Sequence, residues 1–226
     1  MALRTRRMLL ELIDRVLKPI AISKIADKGS PAISPQKLSK EQIQLHCMQT
    51  FKTHGYAGTS MDLLAKSCGL SKAAFYYYYP NKEALVLDIL QVSQQYLNHK
   101  LFSILCDTHL AYCVRFEHLH KQSVSFFSVG VQGCLVGMLS LEIPHLSEQI
   151  DLKIQSIFQD WELALLHYFQ QVMPIAQAEA LAKISVADYE GGILMTRLKQ
   201  DDFYLTHVAE RILKQLSMAV IDAVEA

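Results

Sequence analysis

The chain has little of what would mark a secreted scaffold, a metal ribbon or a membrane protein. Its five cysteines are an odd number and none stand in a C-x-x-C pair, which excludes a disulfide framework and a zinc ribbon. No apolar run approaches the roughly 18–20 residues that a membrane span requires. Glycine (9) and proline (6) are sparse among 226 residues, so a collagen-like or low-complexity chain is excluded. Val-Ile-Thr alternation bounded by hairpin turns is absent, and with it the signal for a sheet. There is no H-E-x-x-H, no P-loop and no Ser-His-Asp order. His118 and His120 stand two apart, so on a helix they face away from each other and cannot share a metal. No catalytic residue, no cofactor and no metal are therefore expected. What remains, with 51% apolar and 19% charged residues, can bury a substantial core. A soluble, cytoplasmic globular protein is the expectation.

The net charge of zero conceals an asymmetry. Residues 1–82 hold 13 Lys and Arg against 5 Asp and Glu, a balance of +8, and residues 83–226 hold 9 against 17, a balance of −8. A basic first third joined to an acidic remainder implies that one end meets a polyanion and the other does not.

Residues 1–38 form a basic N-terminal extension (8 Lys and Arg, 3 Asp and Glu), expected to be partly helical or disordered. Arg4, Arg6 and Arg7 imitate the start of a signal peptide, but Glu11, Asp14 and Arg15 break the apolar run that follows. From Ser39 the pattern is helical throughout. Ser39 and Gln42 have capping-box spacing, and Ile43, Cys47 and Phe51 share one face of a helix that His54-Gly55-Tyr56 closes. Thr59-Ser60 opens a short second helix that Gly69 ends, Ser71 caps a third from Lys72 to about Tyr78, and Pro80-Asn81 starts a fourth expected to run to about Cys106. Further apolar-periodic segments lie near 110–128, 132–142, 145–172, 176–198 and 202–223. The prediction is an all-α chain of nine or ten helices.

The second and third helices, joined by Gly69-Leu70-Ser71, have the arrangement of a helix-turn-helix whose second member enters a major groove. That helix reads Ser71-Lys72-Ala73-Ala74-Phe75-Tyr76-Tyr77-Tyr78-Tyr79. Small Ala73 and Ala74 permit close approach to base edges, while Lys72 and several tyrosine hydroxyls can reach bases or phosphates. Four consecutive tyrosines point in four directions, so they cannot all be buried together. Phe75 is assigned to the core.

Residues 41–86 resemble the DNA-binding domain of the TetR family of bacterial transcriptional regulators. The resemblance is carried by Ile43, Phe51, Gly55-Tyr56, Thr59-Ser60-Met61, Leu64-Ala65, Gly69-Leu70-Ser71-Lys72, Phe75-Tyr76-Tyr77, Pro80 and Asn81-Lys82-Glu83-Ala84-Leu85. It implies an all-α homodimer. A helix-turn-helix unit at 39–86 would bind double-stranded DNA with an inverted-repeat operator, and residues 87–226 would bind an effector and dimerise. It further implies a ligand-responsive regulator, usually a repressor, and neither an enzyme nor a membrane protein. Thr59, Tyr77 and Lys82 match family phosphate contacts, and Lys72, Ala73 and Tyr76 match positions that commonly face bases. Ser71 opens that helix. Tyr78 stands where His is usual and Tyr79 where Phe is usual, which puts the burial of Tyr79 in doubt. His46 and Thr50 replace Ala and Leu, implying looser packing of the first helix.

In the C-terminal half, Gly133-Cys134-Leu135-Val136-Gly137 and Leu139 to Glu142 are similar to a segment of one family branch that borders the effector site. Cys134, at an expected helix start, is a candidate reactive thiol, since helix N-termini favour the thiolate. A thiol-based electrophile or oxidant sensor is the alternative to a regulator that binds a small apolar effector non-covalently. Trp161 and Tyr168, seven apart, could line an apolar pocket or simply pack. Ala187, Gly191 and Gly192 would permit close helix approach at a dimer interface, or within one subunit. A small helical enzyme and a membrane-surface protein anchored through residues 1–18 stay as remote readings.

Overall fold

The computed structural model describes residues 38–225 except Val129 and Val131, so the expected basic arm lies outside the described residues. Among these there are nine α-helices and no strand. They are α1 (Lys40–His54), α2 (Met61–Ser67), α3 (Lys72–Tyr78), α4 (Lys82–Tyr96), α5 (Tyr112–Phe127), α6 (Leu135–Ser140), α7 (Glu148–Phe169), α8 (Ile175–Lys199) and α9 (Phe203–Glu225).

Side-chain caps fix the starts of the first four. Ser39 and Gln42 form the reciprocal capping box, with the Ser39 amide donating to Gln42 Oε1 at 2.9 Å and the Gln42 amide to Ser39 Oγ at 3.3 Å. Ser60, Ser71 and Asn81 accept from Leu63, Ala74 and Ala84 amides in the same way. Each cap satisfies a donor that the helix itself leaves unpaired. At the other end of α1, Gly55 adopts φ +71°, a conformation in which a side chain would be strained.

Helices α1–α3 close over a core of Ile43, Cys47, Phe51, Leu64, Cys68 and Phe75, all buried. Cys47 and Cys68 meet there as free thiols, their sulfurs 3.7 Å apart. The expected looseness at His46 and Thr50 does not arise: His46 points to solvent, and the buried Thr50 hydroxyl donates to the His46 carbonyl at 2.9 Å. Tyr79 is buried after all, only 3% exposed. Its hydroxyl is satisfied by Asp88 Oδ2 at 2.7 Å, the oxygen that also accepts from Gln44 and pairs with Lys40. One α4 carboxylate thus ties the start of α1 and the end of α3 together.

The long fourth helix expected to reach Cys106 stays helical but changes winding. After Tyr96 it becomes a π-turn over Leu97–Leu101 and then a 3-10 turn over Phe102–Cys106. The 132–142 segment shortens to α6, because Gly133 takes φ +135° and Cys134 becomes the N-cap. Helices α7, α8 and α9 form the body of the larger unit, with α8 packed against both neighbours. Against α7, the rings of Tyr112 and Tyr168 stack at 4.3 Å and each hydroxyl donates to the other residue's carbonyl.

Burial alone would raise the Asp88 carboxyl, but hydrogen bonds from Lys40, Tyr79 and Gln44 outweigh it and hold the group below its ordinary value. Stability from this depressed group is present above the unfolded carboxylate range and lost as pH falls through the folded value. Asp88→Asn should therefore cost about 1.5–3 kcal/mol at neutral pH, the range for hydrogen bonds to a charged acceptor. Its deficit relative to the parent protein should shrink in melts recorded below about pH 4, near the unfolded carboxylate range.

Candidate nucleic-acid interface and effector cavity

The turn Cys68–Ser71 brings α3 across α2, with Phe75 anchoring one face in the core. The opposite face is presented outward. Lys72 and Ala73 are exposed, Tyr76 is 41% exposed and Tyr77 is 88% exposed. A large aromatic so fully hydrated has no packing role within the subunit. Tyr78 is half-buried and sets its ring edge-on to Tyr77 at 5.9 Å. Lys72 Nζ pairs with Asp62 Oδ1 of α2 at 2.8 Å, both side chains being exposed. The Ser71 hydroxyl is the α3 cap.

Two expected phosphate contacts face the other way. Thr59 is buried, and its hydroxyl donates to the Gly55 carbonyl at 2.5 Å. It therefore pins the α1–α2 loop from within and does not offer a donor to solvent. Lys82, the first residue of α4, donates to the Tyr56 carbonyl at 2.6 Å and the Thr59 carbonyl at 2.9 Å, with the amine 3.9 Å from the centre of the Tyr56 ring. Desolvation lowers its basicity. Its ammonium is chiefly a strut between that loop and α4.

The same loop is gripped from the larger unit. Glu142, just beyond α6, accepts from the Tyr56 amide at 2.7 Å through Oε1 and from the Ala57 amide at 2.8 Å through Oε2. A Cβ on Gly55 would lie 2.6 Å from Glu142 Oε1, so a side chain there would displace that carboxylate as well as strain φ. A second link comes from Arg197 of α8, whose guanidinium donates to Met138 Sδ at 3.1 Å and reaches the Lys52 carbonyl at 3.4 Å.

Between α1 and the larger unit lies an apolar cavity of about 90 Å³. Its walls come from α1 (Leu45, Met48, Lys52), α4 (Val92, Tyr96), the end of α5 (Phe126, Phe127), the start of α6 (Cys134, Leu135, Val136), α7 (Ile157, Phe158, Trp161) and α8 (Glu190). Trp161 is thus a wall residue. Tyr168 is not: it lies seven residues along α7, where it packs on Tyr112 and Phe116. Cys134 borders the cavity, but not as an activated thiol. Burial, followed by the nearby Glu190 carboxyl, pushes its pKa well above the ordinary thiol range. That outweighs the Gly137 amide, which donates to its sulfur at 3.3 Å. The helix start that was to favour a thiolate is real, but desolvation is the larger effect.

Among the residues expected at a dimer interface, Ala187 and Gly191 are exposed and a Cβ on Gly191 would meet nothing. Gly192 belongs to the subunit interior, where its Cβ would come within 3.0 Å of Leu205. Ile184, Leu194 and Leu198 complete an exposed stripe with Ala187 and Gly191 at alternating spacings of three and four.

Sequence reasoning missed Lys52, Glu190, Arg197 and the role of Glu142. A signal for Lys52 existed: Leu45, Met48 and Lys52 form a second stripe on α1, beside the Ile43-Cys47-Phe51 face.

A capped helix-turn-helix with an outward aromatic and basic face, joined to a helical unit around an apolar cavity, defines a DNA-binding regulator. The comparisons agree. The family described as "Bacterial regulatory proteins, tetR family" matches residues 48–89, and "Transcriptional regulator LmrA/YxaF-like, C-terminal domain" matches 126–211. The chain belongs to the TetR family of transcriptional regulators and is not an enzyme. It is 25% identical over 179 residues to the HTH-type transcriptional repressor DhaR of Mycobacterium sp. (strain GP1), covering 73% of this chain and 87% of that protein. It is 24% identical over 178 residues to the HTH-type transcriptional regulator LmrA of Bacillus subtilis (strain 168), covering 77% and 94%. The crystal structure of a TetR transcriptional regulator from Legionella pneumophila shares the fold at TM-score 0.72 and 19% identity, covering 80% of this chain and 98% of that one. Among the described residues, no helix is long and apolar enough to cross a membrane.

Glu142→Ala should remove the acceptor for two amides at once. The expected outcome is faster hydrogen exchange at Tyr56 and Ala57 and a stability loss of about 1.5–3 kcal/mol, the range for bonds to a charged acceptor. Unchanged exchange at both amides would show that the grip is not formed in solution.

Proposed function

We propose that the protein acts in the cytoplasm as a homodimeric repressor, with a DNA-binding unit at 39–86 and an effector and dimerisation unit from residue 87 onward. It binds an inverted-repeat operator and leaves it when a small effector fills the cavity. The observation that carries this reading is that α1 supplies both the core of the helix-turn-helix and a wall of the cavity. A ligand there touches the DNA-binding unit itself. The effector acts by favouring subunit arrangements whose recognition helices are wrongly spaced for adjacent major grooves, about 34–36 Å apart on DNA.

Lys72, Ala73, Tyr76 and Tyr77 are the proposed groove and phosphate contacts, with Tyr78 supporting Tyr77 and Ser71 setting the start of the helix. In the free protein Lys72 is held by Asp62, an exposed pair that is weak enough to exchange for a phosphate or base edge. Genomic footprinting followed by mobility-shift titration tests the reading. Tyr77→Ala should leave the melting temperature unchanged and weaken operator binding by about 1–3 kcal/mol. Lys72→Ala should lower the salt slope by about one unit if the lysine meets phosphate, or change the base preference if it meets a base edge. Full affinity, preference and salt slope in both variants would remove α3 as the reading helix.

Dimerisation is assigned to the exposed Ile184-Ala187-Gly191-Leu194-Leu198 stripe together with the exposed apolar positions Met218 and Ile221 of α9. Gly191→Leu adds volume where the subunit leaves open space, so it should keep the monomer fold and dissociate the dimer in sedimentation. Gly192→Leu should instead lower the melting temperature, because it collides with Leu205. A fully dimeric Gly191→Leu protein would move the interface elsewhere.

A further inference from the structure

The cavity is largely apolar, and beside Cys134 and Glu190 its charge is unbalanced. Lys52 is 5% exposed, and its ammonium makes no hydrogen bond or ion pair among the described residues. Burying a cation without a partner is costly. The groups around it do not supply one. Arg197 is a like charge, and its guanidinium contacts a sulfur and a carbonyl and no carboxylate. Cys134 is held as a neutral thiol. Glu190 stands with its Oε1 buried and unpartnered, and burial raises its pKa against the opposing hydrogen bond from Cys134, so its carboxylate is disfavoured as a counter-charge. Glu41 also lines the cavity, but from the first turn of α1, eleven residues and about 16 Å of helix rise from Lys52. Desolvation, with Arg197 adding to it, brings Lys52 down to about 8, so near neutral pH the amine remains mostly charged.

We propose that the effector is a short-chain aliphatic carboxylic acid, bound as its carboxylate to Lys52 Nζ. This rests on the reading of the cavity as the effector site and adds the chemical class. The tail lies among the apolar walls beside Trp161. At about 90 Å³ the cavity is smaller than the 150 Å³ or so that accommodates a benzene ring, which restricts the tail to a few carbons. An amide of the same shape leaves the ammonium unpaired, and an amine places a second cation against it. The acid is therefore selected by charge and the tail by size. Because Lys52 belongs to α1, the carboxylate pairs directly with the DNA-binding unit.

Trp161 is the sole tryptophan of the chain and lies in the cavity wall, so its fluorescence reports occupancy in the full-length protein. Butyrate, butyramide and butylamine are titrated at fixed ionic strength, with 1-butanol as a neutral probe of the same chain length. The expected result is saturable quenching or shift by butyrate, at least ten-fold tighter than by butyramide, and none by butylamine at the same concentrations. Lys52→Met, which replaces a buried charge by an apolar chain of similar length, should fold with an undiminished melting temperature and bind butyrate no better than butyramide. Lys52→Arg should retain the preference for the acid. Equal binding of acid and amide by the parent protein, tighter binding of butylamine, or an unaltered acid preference in Lys52→Met would overturn the acid class while leaving the cavity as a ligand site. No response to any of the four probes would overturn both readings.

Discussion

Helix α1 has to belong to two cores at once. Its Ile43, Cys47 and Phe51 side chains are the centre of the helix-turn-helix, while Leu45, Met48 and Lys52, about a third of a turn round, wall the cavity of the larger unit. A helix of 15 residues packed on two sides cannot tilt to suit one neighbour without disturbing the other. The orientation of α3 is tied to the same element, because Asp88 joins Lys40 and Gln44 of α1 to the Tyr79 hydroxyl at the end of α3. Whatever shifts α1 therefore shifts the reading surface, and whatever shifts the wall of the cavity shifts α1.

The charge separation along the chain finds its meaning across this seam. The basic side chains that give the first third its excess do not all face DNA. Lys40 is drawn to Asp88, Lys82 to two loop carbonyls, and Lys52 into the cavity. Lys72 alone of these four stands on the outward face of α3. A count of charges by segment thus pointed at the right unit, but overstated how many of its cations meet the polyanion. Electrostatic steering needs only the net field, whereas register on the duplex needs particular donors aimed outward.

Much of the fold was legible because local rules and tertiary demands coincide. Ser39-x-x-Gln42, Ser60, Ser71 and Asn81 mark helix starts by short-range hydrogen bonding that any context preserves. The outward position of Tyr76 and Tyr77 followed from the geometry of consecutive residues on a helix. What was not legible depended on partners distant in sequence. Thr59 and Lys82 resemble solvent-facing donors until the loop carbonyls of Gly55 and Tyr56 are seen above them. Gly192 and Gly191 are identical in sequence terms, and only the position of Leu205 separates an interior contact from an open one. Cys134 shows the same limit in energy: the helix-start effect is local and readable, while the burial that overrides it is a property of five other segments.

The strength of the seam bears on how a ligand could be felt at the DNA. Two amide bonds to the Glu142 carboxylate and the longer Arg197 contact to the Lys52 carbonyl join the units by direct hydrogen bonding. With about 1.5–3 kcal/mol lost when the shared Glu142 acceptor is removed, the seam is of the same order as the 1–3 kcal/mol by which allosteric sites typically couple. It is neither so weak that the units would move independently nor so strong that a small molecule could not bias it. Geometry favours coupling as well. Helix α6 is only six residues long, with Cys134, Leu135 and Val136 against the cavity at its start and Glu142 gripping the Tyr56 and Ala57 amides just past its end. A displacement at the first end is carried about two turns to the second along a single short helix and its closing turn. The carboxylate that holds the DNA-binding loop is therefore mounted on the element that a cavity ligand must touch.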